Sequence, residues 1–185
     1  MAGAMLFFAT TTIVIVCLGI WLFNRLIALR QLTREAWSGI DVQLKRRYDL
    51  IPSLTETVKG YAGYEKHLLE NVTELRSRCL TVPGIAARGA CEAELGNILK
   101  GMVAIAENYP DLKANRNFLE LQKSLADTED QLQFARRYYN GTVRDYNVAT
   151  QGFPGLLIAS IWNFGTVEFF ELEASAEGLA PKINL

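Results

Sequence analysis

Met1 to Asn24 carry no charged side chain, and basic residues follow at once at Arg25, Arg30 and Arg34. The unbroken apolar run is Leu6–Phe23, LFFATTTIVIVCLGIWLF. With Ala2–Met5 in front of it, the run reaches roughly the 20 residues that cross a bilayer as a helix. A cleavable signal peptide would show a basic n-region, a shorter apolar core and a small-x-small cleavage site. Trp21-Leu22-Phe23-Asn24 is a poor cleavage site, and no Lys or Arg precedes the run. A buried core helix would be shorter and amphipathic, whereas this segment is apolar all round. The segment therefore reads as a membrane anchor. Trp21 and Phe23 stand where an interfacial aromatic belt is expected, and Thr10, Thr11 and Thr12 can bond back to their own helix.

Arginines after the span and none before it put the C-terminal side in the cytoplasm, because Lys and Arg are retained on that face. Three segments are expected: an anchor at 1–24, a helical bundle at 25–150, and a tail at 151–185, apolar and then acidic. The formal net charge of −1 argues against nucleic-acid binding, which normally needs a basic surface.

The chain has three cysteines. Cys17 lies in the span, where it acts as a small apolar residue. Cys79 and Cys91 bracket a Pro-Gly turn and could face each other across a helical hairpin. A disulfide there requires an oxidising compartment, against the cytoplasmic direction, so two reduced buried thiols are the preferred reading. His67 is the single histidine, in a polar helical stretch (YEKHLLEN) that should leave it solvated. No G-x-S-x-G elbow accompanies it, and the cysteines are too far apart for a zinc pair. No cofactor, metal or small-molecule substrate is expected.

Beyond the anchor the dominant signal is a three–four apolar spacing. It runs through Trp37, Ile40, Leu44, Ile51, Leu54, Val58, Tyr61, Leu68, Val72 and Leu75, with Arg47 and Glu65 at the two positions that break it. Pro52 should kink or end this helix near Leu50–Ile51, with Asp49 as the cap of a new one; both outcomes stay open. A turn falls around Cys79–Ala90 (TVPGIAARG), and a helix follows through Cys91, Leu95, Ile98, Met102 and Ile105. Asp111 to Asn115 form a polar connection, and Asn117 with Glu120 resembles a capping box. The last pattern, Phe118 to Tyr146, predicts a long helix that ends at Gly152, Pro154 and Gly155. The uncharged tail Phe153–Val167 either inserts at the membrane interface or covers the bundle's apolar end. Its Pro and Gly make it a poor helix. Glu168, Glu171, Glu173 and Glu177 leave the C-terminus acidic.

Two stretches carry recognisable residues: AWSGIDVQLKRRYDLIPSLTETVKGYAGYE (Ala36–Glu65), and YPDLKANRNFLELQKSLADTEDQLQFARRYYNGTVRDYN (Tyr109–Asn147) followed by Phe153-Pro154. Together with the anchor they resemble the LemA family of bacterial membrane proteins. The resemblance implies an all-α protein, with a single transmembrane helix followed by an elongated, antiparallel up-and-down bundle of three to four long, coiled-coil-like helices. It supports the break at Asp49–Pro52. It also places the chain in the bacterial cytoplasmic (inner) membrane and carries an association with membrane proteases and envelope stress. It brings no reaction with it. The Cys79–Cys91 hairpin is not one of its marks.

Arg46, Arg47, Asp49, Asp111, Lys113, Asn115 and Arg136 are polar residues within these blocks. They could form a partner-binding surface, or serve as caps, turns and inter-helix ion pairs; Asx and Pro chemistry already explains the turn. Arg47 lies on the apolar stripe, so its head either reaches the edge or pairs with an acid such as Asp41 or Glu129. Tyr138, Tyr139 and Tyr146 read as core residues with hydrated hydroxyls. The expected role is a non-enzymatic, membrane-anchored scaffold that forms homo-oligomers or holds a membrane-protein partner. The alternative is a membrane-surface enzyme using carboxylates or tyrosines, and it requires acids converging in a cavity without basic partners.

Overall fold

The computed structural model describes residues 2–60, 66–106 and 108–171. Among these the secondary structure is entirely helical: α1 (Ala2–Lys59), α2 (Lys66–Thr81), α3 (Ile85–Ala106), α4 (Pro110–Lys113), α5 (Arg116–Gln151) and α6 (Gly155–Ile161). Tyr61 and Glu65 of the predicted stripe, and the acidic run at Glu173 and Glu177, lie outside the described residues.

α1 is a single helix of 58 residues, with Pro52 inside it. The break considered at Asp49–Pro52 does not occur. Proline has no N–H and leaves the carbonyl four residues earlier without its helical donor. Here that carbonyl belongs to Tyr48, and Arg76 Nε supplies the missing donor at 2.9 Å. A side chain from α2 thus replaces the lost helical bond, and Asp49 stays within the helix, paired with Lys45 at 3.0 Å. The helix stops instead at Lys59, just before Gly60, so the apolar stripe belongs to two helices rather than one.

Residues 2–24 are apolar and almost wholly exposed, and the helix is long and apolar enough to cross a membrane. The hydroxyls of Thr10 and Thr11 donate to the Phe7 carbonyl, and Thr12 to that of Phe8, which keeps these polar groups satisfied within the helix.

The chain forms two compact units. One comprises residues 1–39 and 137–168, the other residues 40–136 with 169–185. In the first, Leu22, Leu26 and Ala36 of α1 are buried, together with Tyr139, Val143 and Tyr146 of α5 and Ala159 of α6. Trp37 stacks edge-on against Tyr139 at 5.3 Å between ring centres. In the second, Ile40, Leu44, Ile51, Leu54 and Val58 of α1 share a core with Val72 and Leu75 of α2. Leu95, Leu99 and Met102 of α3 and Phe118, Leu125 and Leu132 of α5 complete it.

Within the second unit α2 and α3 form a hairpin. The turn is only residues 82–84, closed by Gly84 at φ 87°, a conformation that suits glycine. α3 therefore begins at Ile85, six residues ahead of the expected start. Cys79 and Cys91 are joined in a disulfide across the hairpin, with Cα atoms 5.6 Å apart. This corrects the preference for two reduced thiols, because the short turn brings the two helix faces into register. Phe170 is buried in this unit, and the backbone of Glu171 lies so close to Gly89 that a Cβ there would meet its carbonyl.

The connection before α5 is a one-turn helix, α4, with Pro110 at its start and Leu112 buried beneath it. The cap of α5 is Asn115, whose Oδ1 accepts the Phe118 N–H at 3.1 Å, and not Asn117, which is exposed.

Candidate functional site

The most concentrated polar chemistry among the described residues lies in the second unit, around Arg47. Its place on the apolar stripe of α1 sends the guanidinium inward, and its side chain is only 2% exposed. Nη1 meets Glu92 Oε2 of α3 at 3.1 Å, and Nε meets Glu129 Oε1 of α5 at 2.8 Å. The Tyr48 hydroxyl donates to the other oxygen of Glu92. One cation therefore sits between two carboxylates from different helices, which is the arrangement a buried arginine needs to offset its desolvation.

Glu92 is itself wholly buried. Burial pushes its carboxyl above the ordinary range, against the opposing pull of the Tyr48 hydroxyl and of Arg47 and Arg88. The Tyr48 phenol is raised by the same burial and by its bond to Glu92. Beside this cluster Arg88 pairs with Asp41 at 2.9 Å.

Gly96 makes room for the guanidinium, since a Cβ there would fall 2.7 Å from Arg47 Nη2. A small recess of about 120 Å³ opens next to it, lined by Arg47, Glu92, Gly96, Asn97, Lys100, Glu129, Gln133 and Arg136. The carboxylates that meet here do so on a basic partner, so neither is a free, desolvated acid of the kind general acid–base chemistry uses.

Of the polar residues singled out from the sequence, the structure brings Arg47 and Arg136 to this recess. Arg136 lies on its wall and donates to Gln133 Oε1 at 2.6 Å. Arg47 pairs with Glu129, one of its two expected acids, while Asp41 goes to Arg88. Arg46 is exposed and only grazes Gln43 at 3.5 Å. Asp49 is an exposed i,i+4 partner of Lys45, Asp111 and Lys113 are exposed on α4, and Asn115 is a cap. Glu92 went unnoticed in the sequence. Its one signal is position: it follows Cys91 directly, on a helix whose apolar spacing places it beside the core.

The first unit carries a second notable feature. Residues 164–168 follow α6 without regular structure, and three side chains hold this segment on α5. The Tyr146 hydroxyl donates to the Gly165 carbonyl at 3.0 Å, and the Tyr139 hydroxyl to that of Glu168 at 2.9 Å. Asn147 grips Val167 twice, accepting its N–H and donating to its carbonyl, each at 2.9 Å. The two buried tyrosines thus spend their hydroxyls on the tail rather than on water. Burial, helped by Glu168, pushes the Tyr139 phenol up to about 12. Tyr138 is exposed and is not part of the core.

The sequence model of the LemA family matches residues 36–185. The chain is 23% identical over 175 residues to the magnetosome protein MamQ of Magnetospirillum gryphiswaldense, covering 80% of this chain and 64% of that protein. It is 24% identical over 125 residues to the protein LemA of Metamycoplasma hominis, covering 67% of this chain and 57% of that one. The chain thus spans less than two thirds of the length of these relatives. The family match takes in Arg47, Tyr48, Glu92 and Glu129, every residue of the buried cluster, and the chain belongs to the LemA family.

Proposed function

We propose that this protein is a membrane-anchored scaffold of the bacterial cell envelope, acting through protein contacts rather than catalysis. The observation that carries the reading is the Arg47 cluster. Glu92 and Glu129 converge, but they do so on a shared arginine, and that favours a structural junction of three helices over an acid–base pair. The exposed apolar helix at residues 2–24 supports a single-pass anchor, with its apolar side chains turned to the acyl chains. The family's association with membrane proteases suggests which partner class to look for first.

Crosslinking the full chain in its native membrane, then purifying it, tests the proposal. Adducts of a multiple of 20.7 kDa, or a reproducible membrane-protein partner, are expected. A bare monomer in every preparation, or a turnover abolished by Glu129→Gln, would overturn the scaffold reading.

For orientation we propose that the folded part lies in the cytoplasm of a cell whose inner membrane holds the anchor. Arg25, Arg30 and Arg34 follow the span and no Lys or Arg precedes it within this chain. One observation favours the opposite orientation: the Cys79–Cys91 bond belongs to an oxidising compartment.

A further inference from the structure

α6 is built inside out for a protein surface. Its small residues, Gly155 and Ala159, face inward, and Gly155 lies so close to the Ala149 carbonyl that a Cβ would collide with it. Its large apolar residues face outward. Phe153 is 85% exposed and Ile161 69%, with Leu156, Leu157 and Trp162 each at least half exposed. Helical spacing puts Leu156, Leu157 and Ile161 on one face, and Phe153 and Trp162 flank the helix at its two ends. No charge occurs from Gly152 to Val167. A helix facing water would do the reverse, burying the leucines and exposing the glycine.

The level of this patch on α1 is defined by contacts. Trp162 and Phe164 pack on Phe23, the last residue of the apolar run, with ring centres 5.3 and 5.8 Å apart. Phe164 also lies under the Arg30 guanidinium, 5.8 Å from it. The patch therefore continues the apolar surface of the span just where its charged flank begins, and the clamps of Tyr146 and Asn147 on the following segment fix it there.

We infer that α6, with Phe153 and Trp162 at its ends, is a second membrane contact, lying in the interfacial layer of the bilayer beside the exit of the span. Its occupant is the lipid surface: acyl chain against the leucines, Trp162 at the headgroup level, and Arg25 and Arg30 among the phosphates. This rests on the reading of residues 2–24 as a membrane anchor.

The test uses the full chain in phosphatidylcholine vesicles containing doxyl lipids labelled either near the glycerol or at mid-chain. Trp21→Phe with Trp37→Phe leaves Trp162 as reporter; Trp37→Phe with Trp162→Phe leaves Trp21. Trp162 is expected to lose most of its emission to the shallow label, to shift to the blue, and to resist aqueous acrylamide. Adding Leu157→Glu and Ile161→Glu should reverse all three, with Trp21 quenching and helical circular dichroism unchanged. Trp162 unquenched by lipid but open to acrylamide, with Trp21 still quenched, overturns the inference and leaves the anchor intact. Trp162 shielded from both quenchers assigns the patch to a protein, such as a second copy, and also overturns it. Loss of quenching at Trp21 as well refutes the anchor and the inference together.

Discussion

Arg47 illustrates how a single side chain ties three helices together while stabilising none of them cheaply. A buried ion pair roughly breaks even against apolar packing, but removing one partner strands the other. Arg47→Met should therefore cost about 3–5 kcal/mol in urea unfolding, because Glu92 loses its charge partner while remaining fully buried. Replacing Glu92 by Met as well should recover most of that loss. A double variant no more stable than Arg47→Met would mean that the cost lies in packing. Tyr139 gives a prediction in the alkaline range. Its phenol holds its proton more tightly folded than unfolded, since its value rises from 10.0 to about 12. The stabilisation is thus complete below pH 10 and is lost as pH climbs through about 12. Stability should fall more steeply between these limits in the parent than in Tyr139→Phe, as followed by urea midpoints.

At the scale of elements, α1 owes its continuity to α2. Arg76→Leu should leave the Tyr48 carbonyl without a donor at a cost of about 1–3 kcal/mol. In a Pro52→Ala background the helix regains its own N–H, and the same replacement should cost much less. Additive effects in that double-mutant cycle would refute the pairing. At α5, Asn115→Ala should cost about 1 kcal/mol in thermal unfolding by removing the cap, while Asn117→Ala should be nearly neutral. These cases also show what sequence could and could not reveal. The apolar spacing located α1, α2, α3 and α5 because each buries a face at helical period. Pro52 misled because its rescue comes from Arg76, 24 positions later, and no local pattern encodes that meeting. Arg47 was legible as an anomaly, since a charge on an apolar stripe must find a partner. Glu92 was not, because an acid beside Cys91 looks like any other until the hairpin folds. α6 was missed as a helix because glycine and proline lower its intrinsic preference, while docking against α5 supplies what propensity lacks.

At the scale of the whole molecule, the disulfide and the flanking arginines make opposite statements about compartment, and one measurement separates them. Cells quenched in acid and alkylated before reduction should show both Cys79 and Cys91 as free thiols if the folded part is cytoplasmic, in a Cys17→Ser background. Labelling only after reductant would place it outside. In purified protein, reduction of the bond should lower stability by about 3 kcal/mol, from the freedom regained by the short loop it closes. The clamps on the tail have a different consequence. Tyr139, Tyr146 and Asn147 hold only main-chain atoms of Gly165, Val167 and Glu168. The exposed side chains of Thr166 and Glu168 take no part in these bonds, so they can be exchanged while the segment stays docked. Three fixed positions on α5 thereby leave a short stretch of surface open to evolutionary change, in which new specificities can be tried without unfastening the chain.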